Sequence, residues 1–167
     1  MIVVADTTPL NYLILINHVD LLSQLFGQVL IPPAVLHELQ DPETPQAVRS
    51  WIAKAPSWLQ IKSLGSQPDA GLTHLDRGEQ EAITLAQELH ADQLLIDETA
   101  ARKEAALRKL PFIGTLGILR KAARLNMIEL SESLDRLQQT SFYVNSEIIK
   151  SLLEEERARK HPDQRPG

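Results

Sequence analysis

The sequence predicts an α/β fold built on a central, mostly parallel sheet, and three observations carry the prediction. Short apolar runs at Ile2-Val3-Val4-Ala5, Val29-Leu30-Ile31 and Leu94-Leu95-Ile96 lack the in-and-out alternation of a one-sided sheet, as strands buried on both faces do. Helical patterns separate these runs, so the chain reads strand, helix, strand, helix, the rhythm of parallel βαβ units. Two of the runs end in a carboxylate, Asp6 and Asp97. In an open parallel sheet, ligands bind beyond the carboxyl ends of the strands, so both acids are expected in a ligand crevice.

Taken in order, the first strand ends at Asp6-Thr7-Thr8, and Pro9 opens a helix over 9–16 that any of those three residues could cap. A second helix over 19–26 stops at Gly27. After a strand over 28–31, Pro32-Pro33 ends the strand and begins a helix through Leu39, with Val35 and Leu39 on one face and Glu38 beside that seam. Glu38 can point toward Asp6, or serve only as an acid favoured by the helix dipole. A helix over 46–55 carries Val48, Trp51 and Ile52, and 58–61 reads as a short edge strand. Trp51 and Trp58 fit core or partner-facing positions better than base stacking. The polar stretch 63–73, with Gly65, Pro68 and Gly71, is the longest loop and the expected mobile segment.

The helix over 80–90 presents Ala82, Ile83, Ala86 and Leu89 as its buried stripe, and Asp76 and Glu79 have capping-box spacing before it. The small residues allow close approach to the sheet, which would bring Glu79 toward the carboxyl edge. Asp97-Glu98 then ends the strand over 93–96, and Thr99 is the expected cap of a helix over 100–110. If the strands before Asp6 and Asp97 are adjacent and parallel, the two acids emerge about 4.8 Å apart and repel each other without a cation. A strand over 111–113 leads through Gly114-Thr115-Leu116-Gly117, read as a tight entry, into a helix over 118–125. Thr115 could cap that helix or offer its hydroxyl to metal-bound water. Helices over 132–139 and 145–160 follow, the latter with Ile148, Ile149, Leu152 and Leu153 on its apolar side. The expected organisation is a core over 1–128, a helical extension of the same domain over 129–160 and a flexible tail over 161–167.

Composition removes several chemistries. The chain has no cysteine, which excludes thiolate catalysis, disulfides, iron–sulfur clusters and Cys-ligated zinc. His18, His37, His74, His90 and His161 lack close ligand spacing, so any metal would be held by oxygen. The absence of a basic leader and of a membrane-length apolar run predicts a cytoplasmic protein without a membrane partner. The net charge of −5 hides a division: residues 1–98 hold 4 basic and 13 acidic side chains, residues 99–125 hold 7 basic and 1 acidic. A polyanion could approach the basic flank while the carboxylates hold cations.

Asp6, Glu38, Glu79 and Asp97 are thus expected to converge on one sheet edge. An all-carboxylate site favours Mg²⁺ or Mn²⁺, which activate water and stabilise charge at a phosphodiester. Hydrolysis of RNA or DNA is the leading chemistry, and it needs no covalent nucleophile. Arg102, Lys103 and Arg120 are candidate contacts to an RNA backbone.

The segments Val-Val-Ala-Asp-Thr-Thr-Pro-Leu, Ile-Pro-Pro-Ala-Val-Leu-His-Glu-Leu, Leu-Asp-Arg-Gly-Glu-Gln-Glu-Ala-Ile-Thr-Leu-Ala, Leu-Leu-Ile-Asp-Glu and Phe-Ile-Gly-Thr-Leu-Gly together resemble the PIN domain family, and more closely its VapC-like branch, over roughly residues 1–128. The resemblance implies a three-layer α/β/α sandwich, metal binding by Asp6, Glu38, Glu79 and Asp97, a hydroxyl near the first acid at Thr7 or Thr8, and Thr115 where many members have a further acid or hydroxyl. It also implies a toxin ribonuclease, a homodimer and an antitoxin partner. Two departures bear on activity: Glu79 stands where many members have Asp, and Gly-Thr-Leu-Gly lacks the extra Asp of many active nucleases, for which Glu98 could compensate. The alternative is a catalytically weak PIN-like module that binds RNA or protein. A haloacid-dehalogenase-type phosphotransferase is disfavoured because its second acid would fall at Thr8, and a receiver-like domain because the acids are too dispersed.

Overall fold

In the computed structural model, which describes residues 1–162, the buried runs form strands β1 Val3–Ala5, β2 Val29–Ile31, β3 Leu59–Ile61, β4 Gln93–Leu95 and β5 Phe112–Ile113. They make one sheet in the order β3-β2-β1-β4-β5, with every neighbouring pair parallel. Parallel neighbours require crossovers. Helices α1 Thr7–Leu15, α2 Leu21–Phe26, α3 Pro33–Gln40, α4 Gln46–Ala53, α5 Arg77–Glu88 and α6 Thr99–Leu107 lie in those connections, and the architecture is a three-layer α/β/α fold. The chain builds from β1 outward through β2 to β3 and then returns to place β4 on the other side of β1. Strand order therefore reverses between β1 and β4, the position at which doubly wound sheets bind ligands.

Successive side chains of a strand face opposite ways, which explains the unbroken apolar runs. Val4, Leu94 and Ile96 share one core with Ala82, Ile83 and Ala86 of α5 and Ala101 and Ala105 of α6. Val3, Ala5, Ile31 and Leu95, of opposite parity, are equally buried. The alanines of α5 and α6 keep those helices close to the sheet. Trp51 and Trp58 pack on each other, ring centroids 5.8 Å apart.

Three expectations change. The 63–73 stretch is anchored: it contains a 3₁₀ turn, Ala70–Leu72, whose Leu72 is fully buried in the core shared with α5. Asp69 accepts from Arg108 Nη1 at 2.6 Å, and Glu88 accepts from Gly65 N at 2.9 Å and from Ser66 Oγ at 2.6 Å. One buried leucine and these long-range bonds outweigh the local glycine and proline content. Glu98 occupies the cap position of α6, and Thr99 is the first helical residue. The segment after Gly114 is helical at once: α7 runs Thr115–Arg124 and takes Gly117 into its first turn.

The chain divides into two compact units, Met1–Thr115 and Leu116–Gly167. The second holds the remainder of α7 with α8 Leu130–Gln138 and α9 Ser146–Lys160. Its buried residues include Ile118, Leu119, Leu134, Leu137 and Ile149, while Ile148, expected on the apolar side of α9, is exposed. Arg120 and Arg124 both donate to Glu155, and Arg159 Nη2 donates to the Ala123 carbonyl at 3.1 Å. Of the expected tail over 161–167, residues 163–167 lie outside the described residues. Among the described residues no helix is long and apolar enough to cross a membrane.

Leu94 is fully buried in the core that carries β1 and β4. Truncation by Leu94→Ala is expected to cost about 2–5 kcal/mol of unfolding free energy, read as a lower urea midpoint with little change in slope.

Candidate metal centre

β1 carries Asp6 directly to the switch point. The Asp6 amide extends the β1–β4 ladder by donating to the Leu95 carbonyl at 2.9 Å, so the residue leaves the sheet in a fixed position. It stands at the cap position of α1 with extended backbone, yet its side chain makes no capping hydrogen bond. Instead the carboxylate is 2% exposed, and Oδ1 has no hydrogen-bond partner among the described residues. An orphaned buried carboxylate oxygen is costly, which argues against a capping role alone.

α3 and α5 bring the other acids. Glu38 of α3 accepts from the Thr7 hydroxyl through Oε2 and from the Gly78 amide through Oε1, the latter at 3.1 Å. Gly78 makes this approach possible: a Cβ there would lie 2.5 Å from Glu38 Oε1 and 2.7 Å from Oε2. One residue earlier than Arg77, Asp76 caps α5 in the capping box its spacing predicts, accepting from Glu79 N at 2.8 Å while Glu79 Oε1 accepts from Asp76 N at 3.0 Å. Asp6, Glu38 and Asp76 each offer an oxygen such that all three lie within 4.8 Å of one another. Asp76 was legible in the sequence only as a cap. Its exposed position and its place beside Asp6 and Glu38 follow from how α5 docks.

Glu79, Asp97 and Thr115 stand outside this three-oxygen set. Glu79 is buried with Oε2 unpartnered among the described residues. Asp97 follows β4 by two residues while Asp6 follows β1 by one, a one-residue stagger relative to the Ala5–Leu95 register. Both Asp97 oxygens are engaged by Thr115: Oδ1 accepts from the amide at 2.8 Å and Oδ2 from the hydroxyl at 2.6 Å. The Thr115 hydroxyl, expected to face a metal-bound water, thus donates to Asp97. Gly114 leaves room for this arrangement, since a Cβ would collide with Arg102 Nη2 and lie 2.6 Å from Asp97 Oδ1.

The candidate RNA contacts separate. Arg102 is half-buried, donates from Nε to the Ile96 carbonyl at 3.2 Å and lies 5.6 Å from the Phe112 ring centroid, so it packs beside Asp97. Arg120 donates from Nε and Nη2 to Glu155. Lys103 is exposed.

Electrostatics follow the crowding of acids. Burial pushes the Asp6 carboxyl well above the usual range; the Thr7 amide pulls it back in part, and the charges of Asp76, Glu79 and Glu38 push it further. Burial likewise raises Glu38 against the opposing hydrogen bond from Thr7, and raises Asp97 against its bonds from Thr115 and the charge of Arg102. Burial is the largest cause at Glu79 too, and the charges of Asp76 and Glu98 also push upward, bringing it to about 7. Each shift has the sign of an anion that has lost hydration on burial. A divalent cation fits this site on two counts: the donors are all hard oxygens, and buried Asp6 Oδ1 has a free coordination position.

A family model described as PIN domain matches residues 2–157. The chain belongs to the PIN domain family. Among solved structures, this PIN domain protein is similar to a PilT N-terminus domain protein from the hyperthermophilic archaeon Sulfolobus solfataricus P2, at 15% identity and a TM-score of 0.49, covering 87% of this chain and all of the other. No curated protein matches it.

Two outcomes test the site. Gly78→Ala displaces the flexible end of Glu38 rather than backbone, so the variant is expected to fold with its helix propensity improved by up to about 1 kcal/mol. It should at the same time lose most of the rise in melting temperature that Mg²⁺ or Mn²⁺ gives the wild type, as read by differential scanning fluorimetry. Glu79, held near 7 in the folded chain against an ordinary 4.5, binds its proton more tightly when folded. Its contribution to stability is complete below about 4.5 and lost as the pH rises through about 7. The stability of Glu79→Gln relative to wild type in EDTA should therefore grow from pH 5 to pH 8, and a constant difference in urea melts would contradict the assignment.

Proposed function

We propose that this PIN domain protein is a Mg²⁺- or Mn²⁺-dependent endoribonuclease. The observation that carries the reading is the buried, unpartnered Oδ1 of Asp6 beside oxygens of Glu38 and Asp76, an anionic cluster that a divalent cation would stabilise. Those three residues would hold the ion, with Glu79 and Asp97 at its margin. The bound ion would supply Lewis-acid activation of water and neutralise charge developing on the phosphate. In the hydrolysis, a water oxygen bonds to phosphorus and one ribose oxygen departs with a proton. Thr7 and the Gly78 amide hold Glu38 in a single orientation, and Thr115 does the same for Asp97. Such supporting bonds are worth roughly 10–100-fold in metal affinity or activity. Lys103, exposed on α6, would steer the RNA backbone.

The finer assignment, a VapC-like toxin of a toxin–antitoxin pair acting as a cytoplasmic homodimer, belongs to the same proposal and is supported by the resemblance of the sequence motifs. A second reading, a weakly catalytic or inactive PIN-like module that binds RNA or protein, is favoured by one feature: both Asp97 oxygens are taken up by Thr115, in a segment without the additional Asp of many active nucleases.

Incubation of structured and single-stranded RNAs with the purified chain should give cleavage that requires Mg²⁺ or Mn²⁺. Asp6→Asn and Glu38→Gln are each expected to lower the rate by about 100-fold or more, with the circular dichroism of the folded chain retained. Thr115→Val should lower it about 10–100-fold. Cleavage that survives Asp6→Asn would remove the carboxylate mechanism, whereas metal-independent RNA binding without turnover in the wild type would select the second reading.

A further inference from the structure

Next to Asp76 in the chain stands an arginine whose geometry the capping box does not explain. Glu81, one turn further along α5, is buried, and both its oxygens are engaged: Oε1 accepts from the Ala34 amide at the start of α3 at 2.9 Å, and Oε2 accepts from Arg77 Nε at 2.9 Å. This buried carboxylate holds Arg77 by its inner nitrogen, yet the arginine side chain as a whole is 70% exposed. Its two Nη nitrogens have no hydrogen-bond partner among the described residues. Arg77 is also one of only 4 basic residues in positions 1–98, and it lies between Asp76, which shares the acidic group, and Gly78, whose amide holds Glu38.

The same arginine lines a cavity of about 350 Å³. Pro33 and Pro68 give it rigid apolar walls, Ser66 and Gln67 give it hydrogen-bonding groups, and Arg77 and Glu81 make its charged wall. That volume lies within the range of pockets that take small organic ligands. The loop that forms its outer side is anchored, because Glu88 accepts from Gly65 N and Ser66 Oγ. An arginine with Nε fixed and Nη nitrogens free presents a planar pair of donors suited to two phosphate oxygens. The Gln67 amide, with the Ser66 hydroxyl as an acceptor, suits the hydrogen-bonding edge of a base splayed out of a single strand.

We propose that this cavity seats one nucleotide of single-stranded RNA adjoining the cleaved phosphodiester, with Arg77 on its phosphate and Gln67 and Ser66 on the edge of its base. The inference rests on the nuclease reading above for the identity of the polymer, and it assigns to that site a binding subsite outside the metal-holding acids. Arg77 acts here as a substrate-binding residue. The basic segment after residue 99 then need not supply every phosphate contact.

The four ribonucleoside 5′-monophosphates, titrated into the ¹⁵N-labelled chain in EDTA, should give saturable shifts at the amides of Gly65, Ser66 and Gln67. Arg77→Gln should weaken that binding about 10–100-fold, the range of one charged hydrogen-bonded contact. In the nuclease assay it should raise KM by a similar factor with kcat much less affected. RNA binding by an Asp6→Asn chain should lose about one unit of salt dependence when Arg77 is also replaced. Because Arg77→Gln leaves Glu81 with one donor fewer, Arg77→Gln/Glu81→Gln and the exposed-site change Gln67→Glu serve as independent variants, and each is expected to weaken nucleotide binding. Absence of saturable shifts, or binding unchanged in all three variants, overturns the subsite. RNA cleavage with wild-type KM in all three overturns it while leaving the nuclease reading standing. Saturable nucleotide binding lost in the variants, with no metal-dependent cleavage by the wild type, overturns the nuclease reading and leaves the cavity as a nucleotide site.

Discussion

The burial of Asp6 is the constraint on which the rest of this structure depends. A carboxylate placed after a fully buried strand, beside two further acids, loses hydration and gains like-charge repulsion. Among the described residues no basic side chain relieves this. Hydrogen bonds fix the other acids: Thr7 and Gly78 serve Glu38, Thr115 serves Asp97, and the capping box ties Asp76 to Glu79. Each acid is held in place while the unpartnered Asp6 oxygen remains available to a cation.

The pairing of α3 with α5 makes that arrangement rigid. Each helix sends a glutamate to the beginning of the other: Glu38 of α3 accepts from Gly78 N in the first turn of α5, and Glu81 of α5 accepts from Ala34 N in the first turn of α3. Both contacts satisfy amides that have no partner within their own helix, and both place negative charge at the positive end of a helix dipole. One of the two glutamates contributes to the acidic group and the other fixes Arg77 on the cavity wall. Structural capping and candidate function therefore use the same bonds, and a choice between them for Glu38 or Asp76 is unnecessary.

Much of the fold was legible because its signals are local. Unbroken apolar runs marked β1, β2 and β4, Pro33 marked the start of α3, and the Asp76 to Glu79 spacing marked the start of α5. Local signals misled where a distant residue took part. The 63–73 stretch has loop composition but is pinned by buried Leu72 and by Arg108, which comes from beyond α6. Arg102 and Arg120 read as free cations by composition, yet the Ile96 carbonyl and Phe112 engage the first and Glu155 engages the second. Asp76 read as a cap, and it is one, but nothing in its own neighbourhood shows that α3 will bring Glu38 beside it.

The sequence by itself determined the kind of chemistry available: no thiolate, strand-end acids, an all-oxygen donor set and a parallel sheet with a crevice at its carboxyl edge. Those properties depend on residue type and on the short-range period of buried strands, which a single chain displays directly. Only the tertiary structure decided which oxygens meet. The grouping of Asp6 with Glu38 and Asp76, the engagement of Asp97 by Thr115 and the fixing of Arg77 by Glu81 depend on strand order, on a one-residue stagger between β1 and β4 and on the docking of α3 against α5. These are long-range packing outcomes, set by how apolar faces fit together rather than by the residues adjacent to each acid.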